Sequence, residues 1–316
     1  MFFNSLKSRL AMLFGAALVS MTVIGCGSSG DSSSGGGNPP AGGNPPVVED
    51  KVVISEENRD QVVASFSSAL FIALEAGRIY INIDPSTNTN VAKSSANLKT
   101  IAASETEECK VSGSKTVDFD AESTMTTVYV DCQEYESGPI KNGIRAFAYS
   151  ESGQATTYTE TFTDYHEKYA SDDGVEISYK SATLIRTEVD SVPTSMSLEA
   201  DGYFKQDGLQ TDVEDYQIDV TFDGTNLTVS MSGRIKTTPC LDKWVEVETV
   251  TAVKMAVVGY DASCPTAGEV KVLGGDNTSL TLNLNADKSA DVSINGGSKE
   301  HYNSCDDLPD AEEVCQ

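Results

Sequence analysis

The feature that most constrains the fold is an alternation of apolar and polar side chains that recurs from residue 174 to residue 238. In its clearest stretch, residues 174–189, the apolar side chains expected on one face are Val175, Ile177, Tyr179, Ile185 and Val189. The polar side chains expected on the opposite face are Glu176, Ser178, Lys180, Arg186 and Glu188. Such alternation is typical of antiparallel strands with one face in water.

Turn residues separate these alternating runs. Asp172-Asp173-Gly174, Asp207-Gly208 and Asp223-Gly224-Thr225-Asn226 stand between them, and Asp-Gly in this position is a strong hairpin signal. No helical period intervenes, which excludes a series of parallel strands joined by helices. We therefore predict a mainly β fold, a large antiparallel sheet that is curled or of half-barrel form.

One helix is expected before the sheet, over residues 55–76. Its apolar side chains recur at spacings of three and four, which makes one stripe that packs on the sheet. They are Val62, Val63, Phe66, Ala69, Leu70, Ala73 and Leu74. Ser55 is the expected N-cap and Gly77 the expected C-terminal stop. Ile79, Ile81 and Ile83 then alternate with polar positions and predict a first strand.

Residues 236–316 form either a separate C-terminal β subdomain or the continuation of the same sheet. Pro239-Cys240 interrupts the hairpin series, and three short strands are expected at 270–273, 280–284 and 292–294. The composition never changes to that of a linker, which favours one continuous sheet. We expect the folded part to span residues 48–316.

The first 26 residues carry a targeting signal. Lys7 and Arg9 precede an apolar run, residues 10–24, that is short for a bilayer-spanning helix. Val23-Ile24-Gly25-Cys26 resembles the lipobox of bacterial lipoproteins. The resemblance implies that residues 1–25 are a signal peptide and that Cys26 becomes an acylated N-terminus. The residue after Cys26 is Gly27 and not aspartate, a pattern that goes with transfer to the outer membrane in enteric bacteria. The resemblance therefore implies an outer-membrane protein that faces the periplasm or the surface.

Residues 26–47 have the composition of a tether. Apart from Cys26, they are almost entirely Gly, Ser, Asn and Pro, and they offer almost nothing apolar to bury. Twenty residues of this kind span roughly 25 Å as a random coil. We expect them to hold the folded part clear of the lipid headgroups.

The charge is strongly negative. The chain has 22 basic and 48 acidic residues, and loss of Lys7 and Arg9 with the signal peptide changes its net charge from −26 to about −28. Such a charge excludes nucleic acid as an expected partner and leaves the acyl chains as the expected contact with the membrane. A protein partner or an apolar ligand stays open.

Six cysteines follow Cys26, and an even number in an exported chain predicts three disulfide bonds. They are Cys109, Cys132, Cys240, Cys264, Cys305 and Cys315. The sequence leaves all fifteen connectivities open, although the spacing favours neighbour pairing: 109 with 132, 240 with 264, and 305 with 315.

The motifs of common hydrolases and metal sites are missing. There is no Gly-x-Ser-x-Gly, no His-Glu-x-x-His and no Cys-x-x-Cys, and His166 and His301 are the only histidines. We expect both to be surface strand residues, and we predict no metal and no cofactor. For calcium, residues 118–122 place acids at alternate positions but lack the glycine and glutamate of an EF-hand loop. The turns at 223–226 and 275–277 also carry Asp and Asn, which are ordinary turn formers.

Three functions remain open. A non-enzymatic structural or interaction role in the cell envelope is the first hypothesis. A carrier of an apolar ligand between helix and sheet is the second, and a large apolar cavity there would distinguish it. A hydrolase acting through two carboxylates is the weakest, because no pair among the many acids can be selected.

Overall fold

The computed structural model describes residues 50–82, 104–121, 123–169, 175–258, 261–262 and 264–315. Cys26, the signal peptide, the tether and the Asp172-Asp173-Gly174 turn lie outside the described residues. The described chain is mainly β, with one long helix, as predicted.

Hairpins join most consecutive strands of one open antiparallel sheet. The strands are β1 (Glu105–Glu108), β2 (Ser112–Ala121), β3 (Thr124–Gln133), β4 (Pro139–Ser152), β5 (Ala155–Tyr169), β6 (Glu176–Val189), β7 (Val192–Gln206), β8 (Leu209–Phe222), β9 (Asn226–Thr238), β10 (Val245–Val258), β11 (Asp261–Ala262), β12 (Ala267–Leu273), β13 (Ser279–Leu284), β14 (Ala290–Ile294) and β15 (Lys299–Tyr302). Strand order follows chain order from β1 to β15, except that β11 pairs only with β10, which pairs onward with β12. The strands after residue 244 thus continue the same sheet.

The long helix, α1 (Arg59–Asn82), packs on the middle of the sheet. Its side chains Val62, Val63 and Phe66 are at most 1% exposed. They lie in one core with buried residues of β8 and β9 such as Ile218 and Leu227. Tyr216 of β8 donates a buried hydrogen bond to the Ala69 carbonyl, at 3.2 Å. The sheet therefore has an inner face, which meets α1, and an outer face.

Both predicted ends of the helix are wrong. The helix begins at Arg59, and Asn58 precedes it, accepting from the Val62 amide through its carbonyl. The Asn58 side chain stabilises the preceding turn, because it accepts a hydrogen bond from the Ser55 amide and donates one to the Val53 carbonyl. Gly77 does not end the helix, since one glycine costs only about 1 kcal/mol in a helix interior. The alternation at 79–81 is consequently helical, and Ile83 lies outside the described residues.

The described chain enters the sheet beside β10. Lys51 forms an isolated parallel bridge with Trp244, supported by hydrogen bonds from the Val52 amide to the Trp244 carbonyl (2.9 Å) and from the Trp244 amide to the Asp50 carbonyl (3.1 Å). Lys51 also pairs with Glu246 of β10 at 3.0 Å. At the other end, the short helix α2 (Ala311–Val314) packs against α1.

A row of β-bulges crosses the middle strands, and we call it the crease. Register shifts interrupt the pairing of β3 with β4, β4 with β5, β6 with β7, β7 with β8, and β8 with β9. Asp131, Asp164 and Asp215 occupy bulges with positive φ. Gly143 faces the Asp164 carbonyl so closely, and with a φ of 95°, that a side chain there would clash. Bulges bend a strand and change which side chains face the core.

Candidate functional site

The crease changes which residues of β6 face inward. We call the half of the sheet that contains residues 175–179 of β6 the part below the crease, and the half that contains residues 181–189 the part above it. Below the crease, Val175, Ile177 and Tyr179 are buried, as the alternation predicts. Lys180 is the extra residue at the bulge, because Tyr179 pairs with Gly202 while Ser181 pairs with Asp201. Beyond the bulge the prediction is wrong: Ile185 and Val189 are 40% and 38% exposed. Arg186 and Glu188, expected in water, are 7% and 8% exposed and face inward.

Arg186 belongs to a buried ionic triad on the inner face of β4, β5 and β6. Glu160 lies at its centre, and its Oε2 atom accepts from Nε and Nη2 of Arg145 at 2.9 and 2.6 Å. The other carboxylate oxygen, Oε1, accepts from Nη2 of Arg186 at 2.7 Å. All three residues are at most 7% exposed. One carboxylate thus holds two guanidinium groups from the two neighbouring strands, with geometry that favours charge-assisted hydrogen bonds.

A second ionic pair lies below the triad on the same face. The Lys141 ammonium stands 3.6 Å from Glu167 Oε1, which also accepts from the Tyr165 hydroxyl. Each cluster has an aromatic ring beside it, with Lys141 Nζ 5.7 Å from the Tyr129 centroid and Arg186 Cζ 5.6 Å from the Tyr158 centroid. The ring centroids of Phe162 and Tyr165 are 5.1 Å apart. Burial and the nearby carboxylate of Glu167 raise the pKa of Tyr165, so its hydroxyl stays protonated and donates.

The pKa values of two carboxyl groups on the inner face, Glu160 and Glu188, shift in opposite directions. Burial opposes the charged form of Glu160, but the two guanidinium groups outweigh burial, and its pKa lies below the ordinary value. Burial raises the pKa of Glu188, and the attraction of Arg186 only partly opposes this. Glu160 is therefore a fixed counter-ion, whereas Glu188 favours the proton more than a carboxyl group in water does.

The outer face over this triad is free of charge. Cross-strand partners, which share a face, define a grid above the crease that we call the neutral face. Its members are Thr124, Thr126 and Val128 of β3, Ile144, Ala146, Ala148 and Ser150 of β4, Thr157, Thr159, Thr161 and Thr163 of β5, and Ser181, Thr183, Ile185 and Thr187 of β6. In these four stretches, the only charged residues are the three of the triad, which all face inward.

The same strands carry charge on the outer face below the crease. His166, Lys168 and Glu176 lie there in register, and Lys168 Nζ stands 3.0 Å from Glu176 Oε1. Further along the sheet, Asp212 pairs with Lys236 at 3.0 Å. The neutral face is thus a local property of the strands above the crease and not of the whole outer surface.

The neutral face includes exposed apolar side chains. Val128 and Ile144 are direct cross-strand partners and are 37% and 38% exposed, and Ile185 is 40% exposed. Charged residues make up 22% of the chain, and solvent-facing strand positions normally hold more than their share of them. A stretch of outer face that is threonine-rich, partly apolar and uncharged is therefore a candidate surface for contact with another molecule.

The structure does not bring the two histidines together. His166 is in β5, with Nε2 3.8 Å from Glu176 Oε2, and His301 is in β15, with Nδ1 2.8 Å from Asp291 Oδ1. Both are strand residues, as predicted. Two pairs of acids are adjacent in sequence, Glu214-Asp215 and Asp306-Asp307. Glu214 pairs with Arg234, and the Asp307 carboxylate accepts from the Ser304 amide in a capping turn.

The acidic stretches considered for calcium have local structural roles. Residues 118–121 lie in β2, so they are strand residues and not a loop; Glu122 lies outside the described residues. Asp223 Oδ1 accepts from the Thr225 and Asn226 amides at 2.9 and 2.7 Å, which closes the β8–β9 turn. Asp276 and Asn277 both have positive φ in the turn between β12 and β13. These are turn-forming roles.

The six cysteines form three disulfide bonds. The expected pair Cys109–Cys132 is confirmed. The other two neighbour pairs are wrong, since Cys240 bonds Cys315 and Cys264 bonds Cys305. The C-terminal segment returns to α1 through the contact of Ala311 with Ala64, which takes Cys315 to the loop after β9. Among the described residues, two groups that each hold two cysteines and one acid are compact enough to bind a metal. Their sulfur atoms are already bonded to each other in Cys109–Cys132 and Cys264–Cys305.

Where the structure describes the side chains of α1, up to Leu70, the contact between helix and sheet is filled. Phe66 of α1 and Ile218, Leu227, Val229 and Ile235 of the sheet are each 0% exposed. The carrier hypothesis needs space between these two layers, and it gains no support from this contact. In the described part of the chain, no helix combines the length and the apolarity required to cross a membrane.

One sequence pattern marks the neutral face, but a search for alternating apolar residues does not detect it because the residues are threonines. Thr157, Thr159, Thr161 and Thr163 recur at every second position and share one side of β5. The buried triad was harder to find, because its members come from three strands whose phase depends on bulges. Comparisons of this chain with protein-family models, with curated proteins and with solved structures found no match.

Proposed function

We propose that this protein is a lipid-anchored protein of the bacterial outer membrane that binds another protein through its neutral face and catalyses no reaction. The observation that supports it is the charge distribution of β3 to β6 above the crease. Their three charged side chains are buried in one triad, while the solvent side presents threonine, serine, alanine, valine and isoleucine.

A buried triad is a costly way to hold strands together, since the charges lose their hydration. Apolar side chains of similar size would fill the same positions at no such cost. The arrangement is useful where the outer face must stay neutral. The charged side chains that fix the register of the strands then lie on the inner face, away from the partner. The triad then positions the strands, and the neutral face makes the contact.

The anchor forms the second part of the proposal. Acyl chains on Cys26 hold the protein in the membrane, and residues 26–47 join that anchor to the folded part, whose first described residue is Asp50. A Cys26→Ala variant should stay an uncleaved precursor without fatty acid. If this variant is processed and fractionates with membranes like the parent, the anchor is wrong.

Site-specific photo-crosslinking in cells tests the contact. A photoreactive residue at Thr161, at the centre of the neutral face, should give a discrete cross-linked protein species. Thr251 is the matched control, because it is also an exposed strand threonine and lies in β10, outside the neutral face. Equal cross-linking at both positions, or none at Thr161, would contradict a binding role for the neutral face.

A further inference from the structure

The net charge of the chain restricts which partner fits the neutral face. At about −28 after loss of the signal peptide, two copies of this protein repel each other over most orientations. Exposed acids also border the neutral face, with Asp118 on β2 and Glu199 on β7, and Asp219 lies one strand further away on β8. Within the neutral face itself, no acid of one copy would be buried against an acid of another.

We infer that the neutral face binds the neutral face of a second copy of this chain. The inference rests on the proposed function, since it names the partner of the same surface. A foreign partner for so acidic a protein would be expected to engage its carboxylates with basic groups. A face that lacks both signs offers nothing to such a partner and suits an identical uncharged face.

The size of the neutral face agrees with a dimer of moderate affinity. Four strands about 4.8 Å apart, with residues of one face about 6.7 Å apart along each strand, cover roughly 19 by 27 Å, or about 500 Å². Two copies would bury about 1,000 Å², near the lower limit for a specific interface. Anchoring in one membrane raises the local concentration of the copies, so that a modest affinity is sufficient.

Side-chain shape supports packing of one sheet on another. Two sheets packed face to face stand about 10 Å apart, with their strands within about 30° of each other. In the neutral face, the small side chains Ala146, Ala148 and Ser150 follow Ile144 along β4. Val128 pairs with Ile144 at one corner of the grid, and Ile185 lies on β6 toward the opposite corner. A two-fold axis that runs along or across the strands would place the large side chains of one copy over small ones of the other, because Val128 and Ile144 lie near one corner of the grid and Ile185 near the opposite one.

The experiment uses the full-length chain extracted in mild detergent after co-expression of two copies with different epitope tags. Isolation through one tag should recover the other, and sedimentation should show a reversible dimer. Thr161→Glu should weaken self-association at least tenfold, because it buries like charges across the interface. Thr251→Glu should not change it, and the thermal unfolding midpoints of both variants should match the parent's.

Salt gives an independent readout that does not depend on any substitution. Raising NaCl from about 50 to about 500 mM shortens the Debye length from about 14 to about 4 Å. Dimerisation should strengthen, because screening removes repulsion between two acidic molecules. An interface built from ion pairs would weaken instead, and that result would overturn the inference.

The remaining outcomes separate this inference from the proposed function. A chain that is monomeric at every concentration and salt, while Thr161 still cross-links another protein in cells, overturns the second copy and leaves the neutral face as a binding surface. Self-association that is equally strong in Thr161→Glu places the dimer contact elsewhere and overturns the inference. Absence of both self-association and cross-linking overturns the inference and the proposed function together.

Discussion

Replacing Glu160 by glutamine should destabilise the protein severely. Glu160 neutralises two buried guanidinium groups, accepting from Arg145 at 2.6 and 2.9 Å and from Arg186 at 2.7 Å. Breaking a buried ion pair by removing one partner costs about 3–5 kcal/mol, because a charge is left in a site without hydration. For a domain of this size, where 1 kcal/mol shifts the unfolding midpoint by about 2–4 °C, the loss corresponds to roughly 10 °C.

Thermal and urea unfolding of the disulfide-bonded protein, followed by circular dichroism, measure this loss. Glu214→Gln is the matched control, because Glu214 pairs with a single arginine, Arg234, and its side chain is 47% exposed. An exposed pair contributes at most about 1 kcal/mol. If Glu160→Gln is no more destabilising than Glu214→Gln, the triad does not hold β4, β5 and β6 together, and the reasoning is refuted.

The pH dependence provides a further check on the same residue. The pKa of Glu160 is lower in the folded protein than its ordinary value of 4.5. Its contribution to stability is therefore complete above pH 4.5 and is lost as the pH falls through the folded-state pKa. The difference in stability between the parent and Glu160→Gln should shrink in that acidic range. A difference that stays constant down to the acid unfolding of both proteins would contradict the assignment.

The remaining predictions concern the inner face, the crease and the disulfide bonds. Glu188→Gln should stabilise the protein at pH 7, since a raised carboxyl pKa makes ionisation unfavourable to folding; the gain should vanish as the pH falls toward 4.5, and equal stability of both proteins at pH 7 in urea titrations would count against it. Gly202→Ala should cost more than about 3 kcal/mol, because its Cβ would overlap the Ser178 carbonyl oxygen. Gly153→Ala, in open space at a φ of 64°, should cost only about 1–2 kcal/mol, and similar losses in the two variants would show that the crease tolerates side chains. A Cys240→Ser/Cys315→Ser double variant should lose about 4 kcal/mol, the value for a bond that spans 75 residues, and an unchanged unfolding midpoint would argue against it. Mass spectrometry after alkylation without reduction should find none of the six cysteines modified, and two or more labelled thiols would contradict the three bonds.

Local sequence rules predicted the antiparallel sheet and the individual strands from residue 174 onward. Within the alternating run from residue 174 to residue 238, the apolar positions Met196, Leu198 and Ala200 of β7 and Tyr216, Ile218 and Val220 of β8 are buried, as the alternation predicts. Asp207-Gly208 forms the two-residue turn between β7 and β8, where Gln206 pairs with Leu209. These predictions succeed because a strand with one face on the core must alternate.

The errors arose where a distant partner decides the local structure. Gly202, more than twenty residues after Lys180, faces the bulge that shifts the phase of β6, so Arg186 could not be assigned to the inner face from its own neighbours. Cys315 reaches Cys240 only because α2 packs on α1. The neutral face was likewise invisible as a surface, because its rows exist only once β3 to β6 are in register.

The attachment of Lys51 and Val52 beside Trp244 has a mechanical consequence. A load applied through the N-terminal end of the described chain enters the sheet at β10, which has strands on both sides, and not at the boundary strands β1 or β15. Such a load is resisted by the Lys51–Trp244 bridge and by the Lys51–Glu246 ion pair, which would have to break together. Because β10 is paired on both sides, a pulling force at this point does not peel an edge strand away from the sheet.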